Sequence, residues 1–420
     1  VQLHTKILLG LVLGIIAGLA SNFLFFEHPT LVWIVNNVTY PVGQVFLRML
    51  FMIVIPLVFA SVTLGVASLG DLKRVGRIGG KALGFFLFTT ALAATIGLVL
   101  INVAAPGEAL DPVVRAQLME QYGGQAAERT AIQTGFGLQT FLNIIPRNPI
   151  DAMARSDMLA VIFFALMVGI ALTQIAAERA RPVIGVLEGV VDVVTTIIGY
   201  AMRLAPYGVF ALIFGVTAMF GFEIMKSLAG YVIVVMAALL LHLFGVIGIL
   251  ARTLAGIPYT TFYRKSKALI VTAFSTSSSN ASLPTNIRTA QEQFGVPKEI
   301  ASFVLPLGAT MNMNGTALFE GMTVLFLAQV FGVDLSLTSQ IIVVVMSVIT
   351  AIGAAGVPSG SIPLLILILE MVGVPGEGIA LILGVDRILD MTRTVPNVMG
   401  DLLTSLVVTK SEGIPLRTTD

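Results

Sequence analysis

The chain has no cysteine, only three histidines and a single tryptophan in 420 residues. Without cysteine there is no disulfide, no thiolate metal site and no cysteine nucleophile. Charge is also scarce. Asp, Glu, Lys and Arg make up 11% of the residues, against about 25% in a soluble domain. The net charge of +1 leaves no basic footprint for a nucleic acid. A phosphate-binding glycine loop and an HExxH pair are missing as well. The expectation is therefore a protein that is not an enzyme and binds no nucleic acid.

What is present is apolar: 56% hydrophobic residues and a mean hydropathy of +0.96. Apolar runs lie near 7–25, 41–69, 82–104, 157–177, 183–220 and 228–251. Runs of about 20 such residues read as helices that cross a bilayer. The stretch Ile7–Leu24 is longer than a signal-peptide core and lacks a clear cleavage site, so it reads as a first membrane helix. Arg203, Pro206 and Gly208 interrupt the run at 183–220 and predict a bend there. Basic clusters occur at Lys73, Arg74, Arg77 and Lys81, at Arg179 and Arg181, and at Arg252, Arg264, Lys265 and Lys267. Six alternating crossings that start inside place all three on the cytoplasmic side, as the positive-inside rule asks.

The C-terminal half reads differently. Segment 258–293 is cut by STSSSNAS at 275–282, and segment 339–373 by GAAGVPSGS at 353–361. Each arm of the second has about 12–15 residues, too short for a core about 30 Å thick at 1.5 Å per residue. Short arms around a polar or glycine-rich break predict re-entrant hairpins. The breaks also resemble each other: TAFSTSSSNASLP runs from Thr272 to Pro284, and TAIGAAGVPSGSIP from Thr350 to Pro363. Each precedes a long segment, 297–330 and 376–409. One hairpin would enter from each side, giving an inverted repeat with its site near the midplane. The plainer alternative is two unrelated loops that share small residues.

The polar residues concentrate near the C-terminus. Asp386, Asp390, Arg393, Thr394, Asn397 and Asp401 lie at offsets 0, 4, 7, 8, 11 and 15, within an arc of roughly 100° on a helix. Ionisable groups in a membrane helix face a bundle interior or a wet cavity. The Arg393 fork matches a carboxylate, and Asp390, one turn away, accepts from an ammonium. Together they suit an amino acid with a second carboxylate, unless they merely neutralise each other. Upstream, Asn312, Asn314, Gly315 and Thr316 interrupt the apolar segment 297–330 and favour local unwinding. Asp401, with Asn397 one turn earlier, is a sodium ligand or else a structural cap. Glu320 is a proton carrier or else a structural hydrogen-bonding group. Ser277–Ser279 add hydroxyls and hairpin-tip amides. His242 reads as a satisfied packing residue, and Glu188, Asp192 and Arg203 as members of structural pairs or a wet interface.

The stretches SSSNASLP, NMNGTALFEG, GAAGVPSG and DMTRTVPNVMGD occur in this order and resemble the dicarboxylate/amino acid:cation symporter family over nearly the whole chain. Inverted repeats occur in that family, in agreement with the repeat above. The resemblance implies an all-α polytopic membrane protein with eight transmembrane helices and two re-entrant hairpins. It implies an elevator-type homotrimer in the plasma membrane that imports L-aspartate or L-glutamate with a cation. A carrier of C4-dicarboxylates on the same fold is the alternative. The implied division is scaffold at 1–74, transport domain at 75–110, extracellular loop and scaffold at 111–220, and transport domain again at 221–420.

By the same resemblance, Ser277, Ser278, Ser279, Thr316, Val357, Gly360, Asp390, Arg393, Thr394 and Asn397 would surround the solute. One sodium ion would sit on Gly308, Asn312, Asn397 and Asp401, and a second on Thr310, Ala351, Ile352 and Ala354. Na+ is the implied coupling ion, with H+ a second candidate through Glu320. Two departures stand out. Asn314 occupies a position where sodium-coupled members generally carry aspartate, which puts a third cation site with Thr89 and Thr90 in doubt. Ser277 and Met391 stand where many members carry a second arginine.

Overall fold

A computed structural model of the chain describes residues 3–25, 28–122, 145–155, 158–353 and 359–417. Among the described residues every regular element is helical. The first is α1 (Leu3–Phe25), followed by α2 (Pro29–Ile34), α3 (Tyr40–Phe51), α4 (Val54–Val75) and α5 (Arg77–Ala104). Short helices α6 (Pro112–Tyr122) and α7 (Pro149–Ala154) precede α8 (Met158–Gln174) and the long α9 (Ala177–Leu240). The helix after α9 continues through π-helical turns Leu241–Ile247 and Ala251–Ala255. Among the described residues four stretches are long and apolar enough to cross a membrane: Thr5–Phe25, Pro29–Ala67, Arg77–Ala104 and Ala177–Ala255.

The bend expected at Arg203–Gly208 lies elsewhere. The backbone stays helical there, and the non-helical residue inside α9 is Gly221, at φ 65° and ψ −145°. Only glycine adopts that conformation without strain. A break frees backbone carbonyls, and Asn22 of α1 answers one of them, its Nδ2 donating to Ala218 O at 2.9 Å. The segment of α9 before Gly221 packs along α1. Gly10, Gly14 and Gly18 recur every four residues on α1, and a Cβ at Gly14 would stand 2.9 Å from Phe210 O. Small residues at this spacing let two membrane helices approach closely.

The remaining helices hold the two breaks. After α10 (Tyr259–Lys265) come α11 (Lys267–Thr276) and α12 (Ser279–Arg288). Only Ser277 and Ser278 separate α11 from α12, so the expected break at 275–282 is narrower than its composition suggests. Ser277 turns the chain at φ 50°, and Ser278 caps α12 by accepting from Ala281 N at 3.1 Å. The serines and the asparagine that looked like loop thus supply a cap and a first turn.

Next come α13 (Lys298–Met311) and α14 (Asn314–Phe331), parted by Asn312 and Met313 in non-helical conformations. Gly315, expected to unwind, is helical. The second break separates α15 (Leu337–Gly353) from α16 (Ile362–Met371). The final helix is α17 (Leu383–Ser411), continuous through Pro396. All of α14 except Gln329 is buried, as befits a helix surrounded by others. α17 packs against α5, α9, α11, α12, α13 and α14, which places its polar stripe at the centre.

Candidate functional site

All six side chains of the stripe are buried, Arg393 to 1% exposure. Such a guanidinium needs partners. Its Nη1 donates to Asp386 Oδ1 at 3.1 Å, and its Nε and Nη2 to Asp390 Oδ1 at 3.1 and 2.7 Å. Its face lies 4.1 Å from the ring centroid of Phe319 on α14. The internal pairing considered for Arg393 and Asp390 is thus formed, and Asp386 shares in it.

Ser359, just before α16, reaches these carboxylates. Ser359, at φ 58°, donates its backbone N–H to Asp390 Oδ2 at 3.0 Å and its hydroxyl to Asp386 Oδ2 at 3.3 Å. Arg387 Nη1 also approaches Asp390 Oδ2, at 3.6 Å. Ser359, Phe319 and Arg387 were not assigned roles from the sequence, and Asp386 had only its place on the polar stripe. Ser359 had a visible signal, as a serine inside the PSGS stretch of an apolar segment. Phe319 had none, because an apolar residue in an apolar helix carries no pattern.

One to two turns on, Asn397 performs a capping task. Its Oδ1 accepts from Gly315 N at 2.8 Å and Thr316 N at 3.3 Å, and its Nδ2 donates to Thr316 Oγ1 at 3.1 Å. The first-turn amides of α14 have no partner within their own helix, so α17 supplies the cap. Thr394 turns inward on its own helix and donates to Asp390 O at 2.7 Å. Asp401 Oδ1 accepts from Asn312 Nδ2 at 2.9 Å. A Cβ built at Gly308 would stand 2.5 Å from that oxygen, so glycine leaves room for the carboxylate against α13. Gly308, Asn312 and Asp401 are therefore gathered at one place, whereas the Asn397 side chain, one turn earlier on α17, is bonded to Gly315 and Thr316.

Asn314 sits deeper, its Oδ1 accepting from Thr90 at 2.8 Å and Thr89 at 3.3 Å. Its Nδ2 is buried without a partner. Glu320 is fully buried; Oε2 accepts from Thr350 Oγ1 of α15 at 2.7 Å, and Oε1 has no partner. Ser277, Ser278 and Ser279 are buried at the first break, and the Ser277 hydroxyl lacks a partner. Gly360 and Ala351 are buried, Ile352 is half-buried and Thr310 is exposed, its hydroxyl donating to Leu307 O at 3.0 Å. Val357 and Ala354 lie outside the described residues. His242 departs from expectation: it is fully buried in a π-helical turn, yet neither ring nitrogen has a partner. Glu188, Asp192 and Arg203 are exposed on α9, and Arg203 stacks over Tyr200 at 5.7 Å.

A bundle of apolar helices around a buried row of paired charges defines a multi-pass membrane protein with an interior polar site. The chain belongs to the sodium:dicarboxylate symporter family, whose pattern matches residues 3–411. It is 38% identical over 415 residues to the proton/sodium-glutamate symport protein of Bacillus caldotenax, covering 98% of this chain and 95% of that one. The proton/glutamate-aspartate symporter of Escherichia coli (strain K12) is 37% identical over 413 residues, covering 98% and 93%. The C4-dicarboxylate transport protein of Bacillus subtilis (strain 168) is 33% identical over 417 residues, covering 98% and 94%.

Proposed function

We propose that the chain is a secondary-active symporter of the plasma membrane that imports L-aspartate or L-glutamate with a cation. The carrying observation is the buried adjacency of Asp390 and Arg393, an ammonium acceptor beside a carboxylate donor. The two glutamate symporters among the relatives support the same reading. In the resting arrangement each group satisfies the other. A solute that carries both charges replaces that pairing: its ammonium takes Asp390, and its side-chain carboxylate takes the N–H groups that Arg393 releases. A neutral amino acid offers Arg393 nothing in exchange.

Thr316, Thr394 and Asn397 complete the solute shell, with Ser277–Ser279 and the Val357–Gly360 stretch holding the solute main chain. A sodium ion sits at Asp401 with oxygens of Gly308, Asn312 and Asn397, hard ligands suited to it. A second site uses carbonyls of Thr310, Ala351, Ile352 and Ala354. At Asn314 a neutral amide already accepts from two threonine hydroxyls, which disfavours a third sodium ion beside Thr89 and Thr90. Glu320 is the proton carrier where protons contribute, its free oxygen being the place for the proton.

The architecture of this reading has eight crossings: α1, α3–α4, α5, α8, the two parts of α9 on either side of Gly221, α13–α14 and α17. The pairs α11–α12 and α15–α16 form re-entrant hairpins. Ten residues, the length of α11, α12 and α16, make roughly 15 Å of helix, half a bilayer core. In a homotrimer, segments 1–74 and 111–220 form the scaffold, and 75–110 and 221–420 the part that slides.

The test is uptake of labelled L-aspartate into proteoliposomes under an inward sodium gradient at equal pH. Saturable, sodium-driven uptake is expected, and absence of saturable uptake contradicts the reading. Succinate displacing aspartate at lower concentration than glutamate would instead make the chain a C4-dicarboxylate carrier. Uptake driven by a pH gradient and indifferent to sodium would move coupling to Glu320.

A further inference from the structure

Arg387 follows Asp386 on α17, with a side chain only 12% exposed. Its Nη1 lies 3.6 Å from Asp390 Oδ2, an ion pair too long for a hydrogen bond. Its Nε is buried and has no hydrogen-bond partner. A guanidinium that is nearly buried and incompletely satisfied is costly, and this one stands against the carboxylate assigned to the solute ammonium.

The charges in direct contact are Asp386 and Asp390 on one side and Arg387 and Arg393 on the other. They balance. Without Arg387 the remaining three leave one negative charge in excess. Glu320, hydrogen-bonded to Thr350, makes no ion pair with this set, although it lies close enough to Arg393 for the two to interact through charge. An acidic amino acid carries one ammonium and two carboxylates, so it brings a net negative charge. Entering a balanced cluster costs it less than entering a negative one, because little water screens charges at this depth. A zwitterion without net charge feels almost none of that difference.

We infer that Arg387 sets the charge class of the solute, favouring a net anionic amino acid over its neutral isostere. The inference rests on the reading of this site as one for acidic amino acids. Arg387 acts through its charge, and it need not touch the solute.

The test measures Kd for L-aspartate and L-asparagine at fixed, saturating sodium in the purified full chain, by competition with labelled L-aspartate. The proteins are the wild type, Arg387→Gln, Arg387→Met and Arg387→Lys. The neutral variants should lose the aspartate preference by about tenfold or more, while Arg387→Lys keeps it within about threefold. An unchanged ratio in the neutral variants, or equal weakening of both solutes, overturns the inference and leaves the functional reading intact. If both neutral variants fail to fold and Arg387→Lys folds, the charge serves stability and the inference is wrong. A wild type that binds neither aspartate nor glutamate overturns the functional reading and this inference with it.

Discussion

At its Asp386–Arg393 end α17 carries carboxylates and guanidiniums in contact with one another, whereas at Asp401 a carboxylate has an amide for its hydrogen-bond partner. Arg393 is bonded to Asp386 and Asp390. Asp401 is equally buried, and among the described residues it forms no salt bridge, only the bond from Asn312. The first end brings its own counterions, so a ligand must exchange charge for charge and needs both signs. The second end has no ionic partner among the described residues, which suits the cation site proposed there. On the proposed reading, one helix would present a site for an acidic amino acid and a site for a cation, about two turns apart. Asn397, between them, ties α17 to the first turn of α14, just past the break between α13 and α14.

The largest expected effect comes from unbalancing the charged end. Arg393→Gln leaves Asp386 and Asp390 buried without their shared partner and should weaken aspartate binding by about a hundredfold or more. Binding isotherms read the loss. Retained affinity would mean that the guanidinium only neutralises the helix.

Asn397→Ala removes the cap on α14 and its bond to Thr316. A stability loss of about 1–2 kcal/mol is expected, with weaker binding of both sodium and solute, since the residue serves both ends. Loss of only one kind of binding in a thermal-shift titration would separate the ends completely. Away from the site, Gly14→Val at the α1–α9 contact should cost about 1–3 kcal/mol by overpacking and leave solute affinity unchanged. A changed affinity would show that the site feels the α1–α9 contact.

The smallest effect is at the C-terminal end of α17. Lys81 Nζ donates to Glu412 Oε1 at 2.7 Å, and Arg77 pairs with Oε2. These hydrogen bonds, Lys81 first, hold the Glu412 carboxyl below its ordinary range. A depressed pKa means that the tie between α5 and the end of α17 is present above the ordinary carboxylate range. It is lost as pH falls through the lowered value. The difference in melting midpoint between wild type and Glu412→Gln should therefore be small at neutral pH and vanish in acid. A difference that grows in acid would contradict the pairing.

Much of this was legible in the sequence. The offsets on α17 placed six polar residues on one face, and all six are buried. The asparagines marked the break between α13 and α14 to within a few residues. The α9 break was not legible, because proline at Pro206 is a louder signal than glycine at Gly221. A helix tolerates the first where its neighbours permit, while only φ and ψ reveal the second. The contacts of Ser359 were also hidden, since they join residues about thirty positions apart that share no periodicity. The partial satisfaction of Arg387 depends on distances that spacing alone does not fix.

The most direct test of two complementary sites on α17 is the Kd of L-aspartate measured as a function of sodium concentration, in the wild type and in Asp401→Asn. The substitution keeps the side-chain shape and removes the charge. Two complementary sites predict that sodium tightens aspartate binding in the wild type and that this dependence flattens in Asp401→Asn. A wild type indifferent to sodium, or an Asp401→Asn variant with the same sodium dependence as the wild type, would contradict them.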